Sequence, residues 1–228
     1  MKKILLLISA ISSSYAFAQN FVISDDKPAS NLTQSTTNQG DISGLINYLS
    51  ATKSLQGKFA QEVQSSQGVE SSQGEMKIAK PNKFYWDYQS PNKQKIISNG
   101  EKVWQYDIDL EQVSIRKRDE LVGGAAMNVL SGANPEASFN ITVADKSTLP
   151  QILNGVNADK FYRLTPKDTA ESYDNIWLAM QAENIAAIAV DTGSNQYSLL
   201  TFSALKRNQN IDPKNFEFIP PAGVDVAE

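Results

Sequence analysis

The chain has 228 residues, of which 41% are hydrophobic and 20% are charged, enough for one globular domain with a sizeable core. It contains no His and no Cys, which excludes Ser-His-Asp and Cys-His catalysis, His- or thiolate-based metal sites, disulfides and a lipidated N-terminal cysteine. The formal net charge of -4 makes nucleic acids and anionic membranes poor partners.

Residues 1–18 have the three parts of a secretory signal peptide. Lys2 and Lys3 precede an apolar run over residues 4–11, and residues 16–18, Ala-Phe-Ala, form the small-x-small pattern that signal peptidase cleaves after. The apolar run is too short to span about 30 Å of hydrocarbon as a membrane anchor. We therefore expect the mature chain to begin at Gln19.

The mature chain is predicted to begin with a polar leader and then a helix. Residues 19–40 are rich in Ser, Thr, Asn and Gln, and they bury too little apolar surface to offset about 1 to 2 kcal/mol of backbone entropy per ordered residue. We predict a flexible leader over 19–40 and one domain over 41–228. Asp41 caps a first helix, in which apolar residues recur at i, i+3, i+4 and i+7: Ile42, Leu45, Ile46 and Leu49.

Residues 59–115 predict a meander of antiparallel strands. Runs of about five to eight residues, rich in aromatic and β-branched types, end at Pro, Asn-Gly or Asp, and a polar turn is expected over residues 65–72. Because successive side chains alternate, Phe84, Trp86 and Tyr88 share one face. Such an apolar face must be covered by another layer, close on itself or hold an apolar ligand. The sequence leaves these three outcomes open.

Residues 121–130 predict a short helix of low intrinsic stability. Gly123 and Gly124 stand near its start, and glycine disfavours a helix. The pattern fits an ordinary amphipathic cover helix and also an element that moves. The apolar residues at helical spacing are Val122, Ala125, Ala126, Val129 and Leu130.

The remaining chain predicts further strands, with one short helix around residues 149–153. Residues 185–190 are apolar at every position, which indicates a strand that is covered on both faces. The other predicted strands cover residues 139–143, 161–164, 176–180 and 197–205.

The acidic residues near the end of the meander do not predict catalysis. Asp107, Asp109 and Glu111 alternate and would share a strand face, but Asp-x-Asp-x-Glu beside a turn is more typical of a solvated hairpin. An EF-hand calcium loop would need a glycine that is absent here. Gly123-Gly124 lacks the Lys and Ser or Thr of a phosphate loop. We predict that the protein is not an enzyme and that it uses no cofactor or metal.

Several short motifs follow one another in a fixed order along the chain. None is specific alone, but the ordered set, over roughly residues 41–226, resembles the periplasmic outer-membrane lipoprotein carrier family, LolA. The motifs near the C-terminus are Ile211-Asp-Pro213, Phe216-Glu-Phe218 and Pro220-Pro-Ala-Gly-Val-Asp-Val226. Before these come Gly74-Glu-Met-Lys-Ile-Ala-Lys-Pro81, Phe84-Tyr-Trp86, Ser90-Pro91, Ser98-Asn-Gly100, Val103-Trp-Gln-Tyr-Asp107 and Leu110-Glu-Gln112.

This resemblance implies an α+β, mainly antiparallel fold. The expected architecture is an incomplete, half-open β-barrel of about eleven strands, with an N-terminal helix and short lid helices covering its concave face. The implied function is that of a periplasmic chaperone for the acyl chains of lipoproteins. The implied partners are outer-membrane-directed lipoproteins, the inner-membrane ATP-driven complex that releases them and an outer-membrane receptor. The carrier itself is expected to be a monomer that binds no nucleic acid.

The resemblance also suggests roles for particular residues. The apolar face of the meander would supply the walls of a lipid-binding cavity, and the helix at 121–130 would supply its lid. Each of these residues fits a plain core role equally well. The predicted wall consists of Met76, Ile78, Phe84, Trp86, Trp104, Val113 and Ile115, and the apolar side of the lid consists of Val122, Met127 and Leu130.

Lys80 is the position where the chain departs from the family pattern. The usual Arg-Pro is here Lys80-Pro81, and the resemblance implies that the arginine fastens the lid when no ligand is bound. Arg offers five donors in a planar fork, whereas Lys offers three rotatable donors on a point charge. We therefore predict that Lys80 is the lid latch and that it holds the backbone carbonyls of the lid less firmly.

A second function remains open on the same fold. A half-barrel of this kind would also serve as an interaction module that senses lipids or partner proteins in envelope signalling. The Trp104 to Gln112 block and the ending at Pro220 to Val226 resemble the carrier, and they favour transport over sensing.

Overall fold

The fold is built on a single twelve-stranded sheet in the part of the chain that the structure describes. This structure is a computed structural model, and it describes residues 41–117, 125–132, 134–168, 171–193 and 196–227. The predicted signal peptide and leader lie outside these ranges. The helices are α1 (Ser43–Ala51), α2 (Ala125–Ser131) and α3 (Pro135–Ser138). The strands are β1 (Ser54–Ser65), β2 (Gly68–Ala79), β3 (Lys83–Ser90), β4 (Gln94–Asn99), β5 (Lys102–Asp107), β6 (Gln112–Lys117), β7 (Phe139–Val143), β8 (Lys160–Pro166), β9 (Asn175–Gln181), β10 (Asn184–Asp191), β11 (Tyr197–Arg207) and β12 (Asp225–Ala227).

The sheet is open and almost entirely antiparallel. Its strand order is β12-β6-β5-β4-β3-β2-β1-β11-β10-β9-β8-β7, and within the described residues the two end strands do not pair with each other. The β12–β6 pair is parallel. The predicted α+β, half-open barrel is therefore confirmed. The difference from about eleven strands is β12, whose three residues are too few to show a strand pattern in the sequence.

The two faces of the sheet carry different layers. We call the face that packs against α1 and α2 the inner face, and its buried side chains form one cluster that extends across the sheet from β5 to β7. Within this cluster the exposure of each buried side chain is 7% or less. The strand side chains of the inner face include Leu55, Phe59, Met76, Ile78, Phe84, Trp86, Val103, Ile141, Leu164, Ile176, Leu178, Ile188 and Leu200.

The outer face is covered by two separate segments. Residues 149–158, which include the 3₁₀ turn Gln151–Leu153, pack on Phe161 and Trp177. The C-terminal segment packs Phe218 and Val224 at the other end of the sheet. Strand β10 is therefore buried on both sides, as its continuous apolar sequence predicted.

The β1–β2 hairpin is longer than the sequence indicated. A polar turn was expected over residues 65–72, whereas β1 continues to Ser65 and β2 begins at Gly68, so that only Ser66 and Gln67 connect them. Both strands carry exposed side chains here, and Val69 is 61% exposed. The hairpin continues through backbone hydrogen bonds alone, which leave no hydrophobic pattern in the sequence.

A close approach between β2 and β3 requires glycine at position 74. The register shifts there, because Gln73 pairs with Ser90 while Gly74 pairs with Tyr88. A Cβ on residue 74 would collide with the carbonyl oxygen of Asp87 and lie 3.0 Å from Cε1 of Phe59. The bulge thus brings two backbones closer than any other residue allows.

We predict that Gly74→Ala lowers the free energy of unfolding by about 1 to 3 kcal/mol, because the neighbouring backbone must shift to make room for the methyl group. Urea unfolding followed by circular dichroism measures the change. Gly44→Ala in α1 is the matched control, since its Cβ would meet only the Tyr162 hydroxyl at 3.5 Å, and alanine favours a helix. Equal stabilities of the two variants would contradict the packing argument.

Candidate functional site

Helix α2 lies across the inner face and contacts both halves of the sheet. It touches β2 and β3 on one side and β10 on the other. Its own buried residues are Ala125, Ala126, Val129 and Leu130. Its Met127 is partly buried and packs against the same cluster. Of the predicted lid residues, Met127 and Leu130 therefore face the sheet, while Val122 lies outside the described residues.

Four of the predicted wall residues lie together on the inner face. Met76, Ile78, Phe84 and Trp86 come from β2 and β3 and are at most 1% exposed. Phe59 of β1 extends the same surface, with its ring centroid 5.4 Å from that of Trp86. The inner face thus offers a continuous apolar surface that is filled, in this conformation, by the protein's own helices.

The other three predicted wall residues are on the opposite face, which corrects the prediction. Trp104, Val113 and Ile115 belong to the outer cluster under the C-terminal segment. The register places Trp104 beside Ile97 and Ile115, whereas β5 contributes Val103 to the inner face. Because β5 buries apolar side chains on both faces, Val103 on one and Trp104 on the other, apolar alternation alone did not indicate which side faces inward.

The second half of the sheet supplies wall residues that were not predicted. The sequence predicted the strands that carry these residues. Alternation of side chains within each strand could have separated the inner residues from the outer ones. These inner residues are Ile141, Tyr162, Leu164, Ile176, Leu178, Met180, Ile185, Ile188, Val190 and Leu200.

Helix α1 is fixed to the sheet through its C-terminal carbonyls. Lys80 Nζ donates to the carbonyl oxygen of Leu49 at 2.7 Å, and Asn208 Nδ2 donates to that of Ala51 at 3.0 Å. The guanidinium of Arg207 lies 4.7 Å from the centroid of the Tyr48 ring. These contacts satisfy acceptors that a helix end leaves unpaired, and they make α1 a fixed part of the inner face.

Helix α2 has fewer polar contacts with the rest of the fold than α1 has. Among the described residues, one hydrogen bond connects it to the sheet, from the backbone N–H of Asn82 to the carbonyl of Ser131 at 3.0 Å. The Ser131 hydroxyl and the Gly132 N–H bond within the helix end itself, to Met127 and Asn128. Apolar contacts are therefore the main attachment of α2 in the part of the chain that the structure describes.

The contact of Lys80 differs from the predicted one. Its ammonium reaches α1, and none of its hydrogen bonds goes to the described part of the lid. The reason is position: β2 ends at Ala79, and the backbone N–H of Lys80 bonds to the carbonyl of Lys53, which places the side chain beside the end of α1. Partial burial lowers the pKa of Lys80 from its ordinary value.

A small cavity opens beside the wall at the middle of the sheet. Its volume is about 270 Å³, and polar side chains make up much of its lining. It lies where β1, β2 and β11 meet at the Gly74 bulge, and Phe59 and Phe202 are its aromatic members. The full lining is Lys58, Phe59, Ala60, Gln73, Gly74, Gln89, Thr201, Phe202 and Ser203.

The acidic residues of the β5–β6 connection have a structural role in the turn. Asp107 Oδ1 accepts from the Leu110 N–H at 3.0 Å, and Asp109 Oδ2 accepts from the Lys93 N–H at 3.0 Å. Across the described ranges, no group of three or more His, Cys, Asp or Glu side chains is arranged to hold a metal ion. None of the helices described here is long and apolar enough to cross a membrane.

We predict that Lys80→Ala speeds amide exchange in α1 more than in α2, because it leaves the Leu49 carbonyl without its side-chain donor. The expected loss in the free energy of unfolding is about 1 kcal/mol. Hydrogen exchange followed by NMR resolves the two helices. Lys80→Arg keeps a donor and is the matched control. Faster exchange in α2 with α1 unchanged would instead support the originally predicted lid contact.

Sequence and structure comparisons identify similar proteins. The profile described as "Outer membrane lipoprotein carrier protein LolA" matches residues 50–219. An outer-membrane lipoprotein carrier protein of Halorhodospira halophila is 31% identical over 199 residues, 86% of this chain and 90% of the relative. An outer-membrane lipoprotein carrier protein of Neisseria meningitidis serogroup C is 31% identical over 187 residues, which cover 82% of this chain and 86% of the relative. A LolA superfamily protein of Nitrosomonas europaea superposes with a TM-score of 0.48 at 12% identity, covering 78% of this chain and 96% of the other.

Proposed function

Because the chain belongs to the LolA family of outer membrane lipoprotein carrier proteins, we propose that it is a periplasmic carrier that covers the acyl chains of lipoproteins during transfer between membranes. The observation that carries this proposal is the apolar inner face under α2. A helix that is attached mainly by apolar contacts covers a large apolar surface there.

The proposal has a simple energetic basis. Each methylene removed from water contributes roughly 0.8 kcal/mol, so several acyl chains do not cross an aqueous compartment without a cover. In the conformation described here, Ala125, Val129 and Leu130 occupy the inner face. An acyl chain that replaces α2 exchanges one set of apolar contacts for another. Loading and release then require little net free energy, which suits a carrier.

The two helices divide the work in this mechanism. Helix α1 stays in place because Lys80, Asn208 and Arg207 hold its C-terminal end. Helix α2 moves, because its displacement breaks one hydrogen bond to Asn82 in the described residues. The wall under α2 consists of Phe59, Met76, Ile78, Phe84 and Trp86 on one side of the sheet and of the inner residues of β8 to β11 on the other.

The remaining expectations follow from this role. The carrier accepts lipoproteins from an inner-membrane ATP-driven complex and passes them to an outer-membrane receptor. It acts as a monomer and as a binding protein rather than an enzyme. The predicted signal peptide at residues 1–18 supports a periplasmic location.

We predict that the mature protein, added to spheroplasts that retain outer-membrane lipoproteins, releases these lipoproteins into the supernatant. The released lipoprotein should co-elute with the carrier as a one-to-one complex in size-exclusion chromatography. Heat-unfolded carrier is the control for detergent-like extraction. Absence of lipoprotein from the supernatant would favour a sensing module over a carrier.

A second prediction tests the movement of α2. The chain has no native cysteine, so Asn82→Cys with Ser131→Cys places a unique thiol pair across the hydrogen bond that joins α2 to the sheet. A short, reducible thiol cross-linker should reduce lipoprotein release at least tenfold by holding α2 on the inner face, and a reductant should restore release. The reduced sample is the matched control. Undiminished release by fully cross-linked protein would show that α2 does not need to move.

A further inference from the structure

The indole N–H of Trp86 has no hydrogen-bond acceptor among the described residues, although its side chain is 0% exposed. Buried donors are nearly always paired in folded proteins, and an unpaired one costs about 1 to 3 kcal/mol. A phenylalanine would fill an apolar position here without that penalty. The unpaired donor therefore indicates a requirement other than packing.

The surroundings of Trp86 are apolar on every strand that it contacts. Its register partners are Met76 on β2 and Ile96 on β4, and the Phe59 ring lies 5.4 Å away. Helix α2 packs on β2 and β3. The donor is thus buried among side chains of β2 and β3, the strands on which α2 packs, and a ligand that replaces α2 would lie on the same two strands.

A second unpaired donor in the same cluster has a different setting. The Tyr48 hydroxyl is also buried without an acceptor in the described part of the chain, but it belongs to α1. Its ring is held by Arg207 at 4.7 Å, at the end of the helix that stays in place. Trp86 is instead the donor on β3, one of the strands on which α2 packs.

We infer that the Trp86 indole N–H binds a carbonyl oxygen at the head of an acyl chain, an ester or an amide. This inference rests on the proposed carrier function and specifies one subsite within it. An acyl tail has no acceptor of its own, so its carbonyl is the polar atom that enters an apolar wall with it. A hydrogen bond to that carbonyl fixes how deeply the chain inserts, which methylene contacts alone do not.

The test compares ligands that differ only at the carbonyl. A diacylglyceryl lipopeptide carries two ester carbonyls, and its dialkyl ether analogue carries none. Full-length mature protein should bind the ester form about threefold to tenfold more tightly than the ether form, the range of one net hydrogen bond. In Trp86→Phe, which lacks the indole N–H, the ratio of ester affinity to ether affinity should fall to about one, whatever the change in the two affinities themselves, and a retained ester preference would overturn the subsite.

A spectroscopic readout does not depend on the variant. The protein has three tryptophans, and Trp104 and Trp177 lie on the outer face. In ¹⁵N-labelled protein, the Trp86 indole proton should shift downfield with the ester lipopeptide and much less with the ether form. The Trp104 and Trp177 signals should stay in place and are the internal controls.

The outcomes separate this inference from the carrier function. Equal binding of the ester and ether lipopeptides by the wild type would overturn the Trp86 subsite and leave the carrier function intact. Binding of neither would contradict both. A dispersed short-chain diacyl phospholipid, titrated in parallel, separates the two natural sources of an acyl ester. An ester-dependent shift with the phospholipid but none with the lipopeptide would overturn the assignment of this subsite to lipoproteins.

Discussion

The structure depends on one constraint, which is that a sheet with a continuous apolar face must be covered. In the order of the sheet, the strands from β5 through β1 and on to β7 at the other edge together present that face. Within the described residues there is no second sheet to pack on it. Two short helices cover it instead. The two helices differ in attachment, since side chains from the sheet ends hold the end of α1, whereas α2 is held mainly by apolar contacts.

The difference in attachment explains how a stable fold and a binding surface coexist. The side chains that hold α1 come from the end of β2 and from the end of β11, so the clamp joins both halves of the sheet. Helix α2 has seven residues, too few to be stable in isolation, and it relies on the sheet for its structure. In the carrier mechanism that we propose, such an element leaves the surface without unfolding the domain.

Much of this architecture was predictable from the sequence, and the exceptions have physical causes. The meander, the first helix, the doubly buried β10 and the apolar side of β3 all followed from periodicity. The assignment of Trp104, Val113 and Ile115 to the wall was wrong, because their cover is a C-terminal segment more than one hundred positions away along the chain. Lys80 contacts α1 rather than the described part of α2 for a similar reason, since the end of α1 reaches it only through tertiary packing. Long-range covers of this kind leave no local periodic signal.

The position of β1 in the sheet has a consequence for how the protein forms. It lies between β2 and β11, so that Leu55 pairs with both Ile78 and Arg207. The two halves of the sheet therefore join along a seam between the first strand and the last long one, and contacts so distant in sequence form slowly. During synthesis the apolar inner face therefore stays in two separate parts until the ribosome has released β11, Tyr197–Arg207. A chain that completes its core so late stays without its full tertiary structure for longer after synthesis begins.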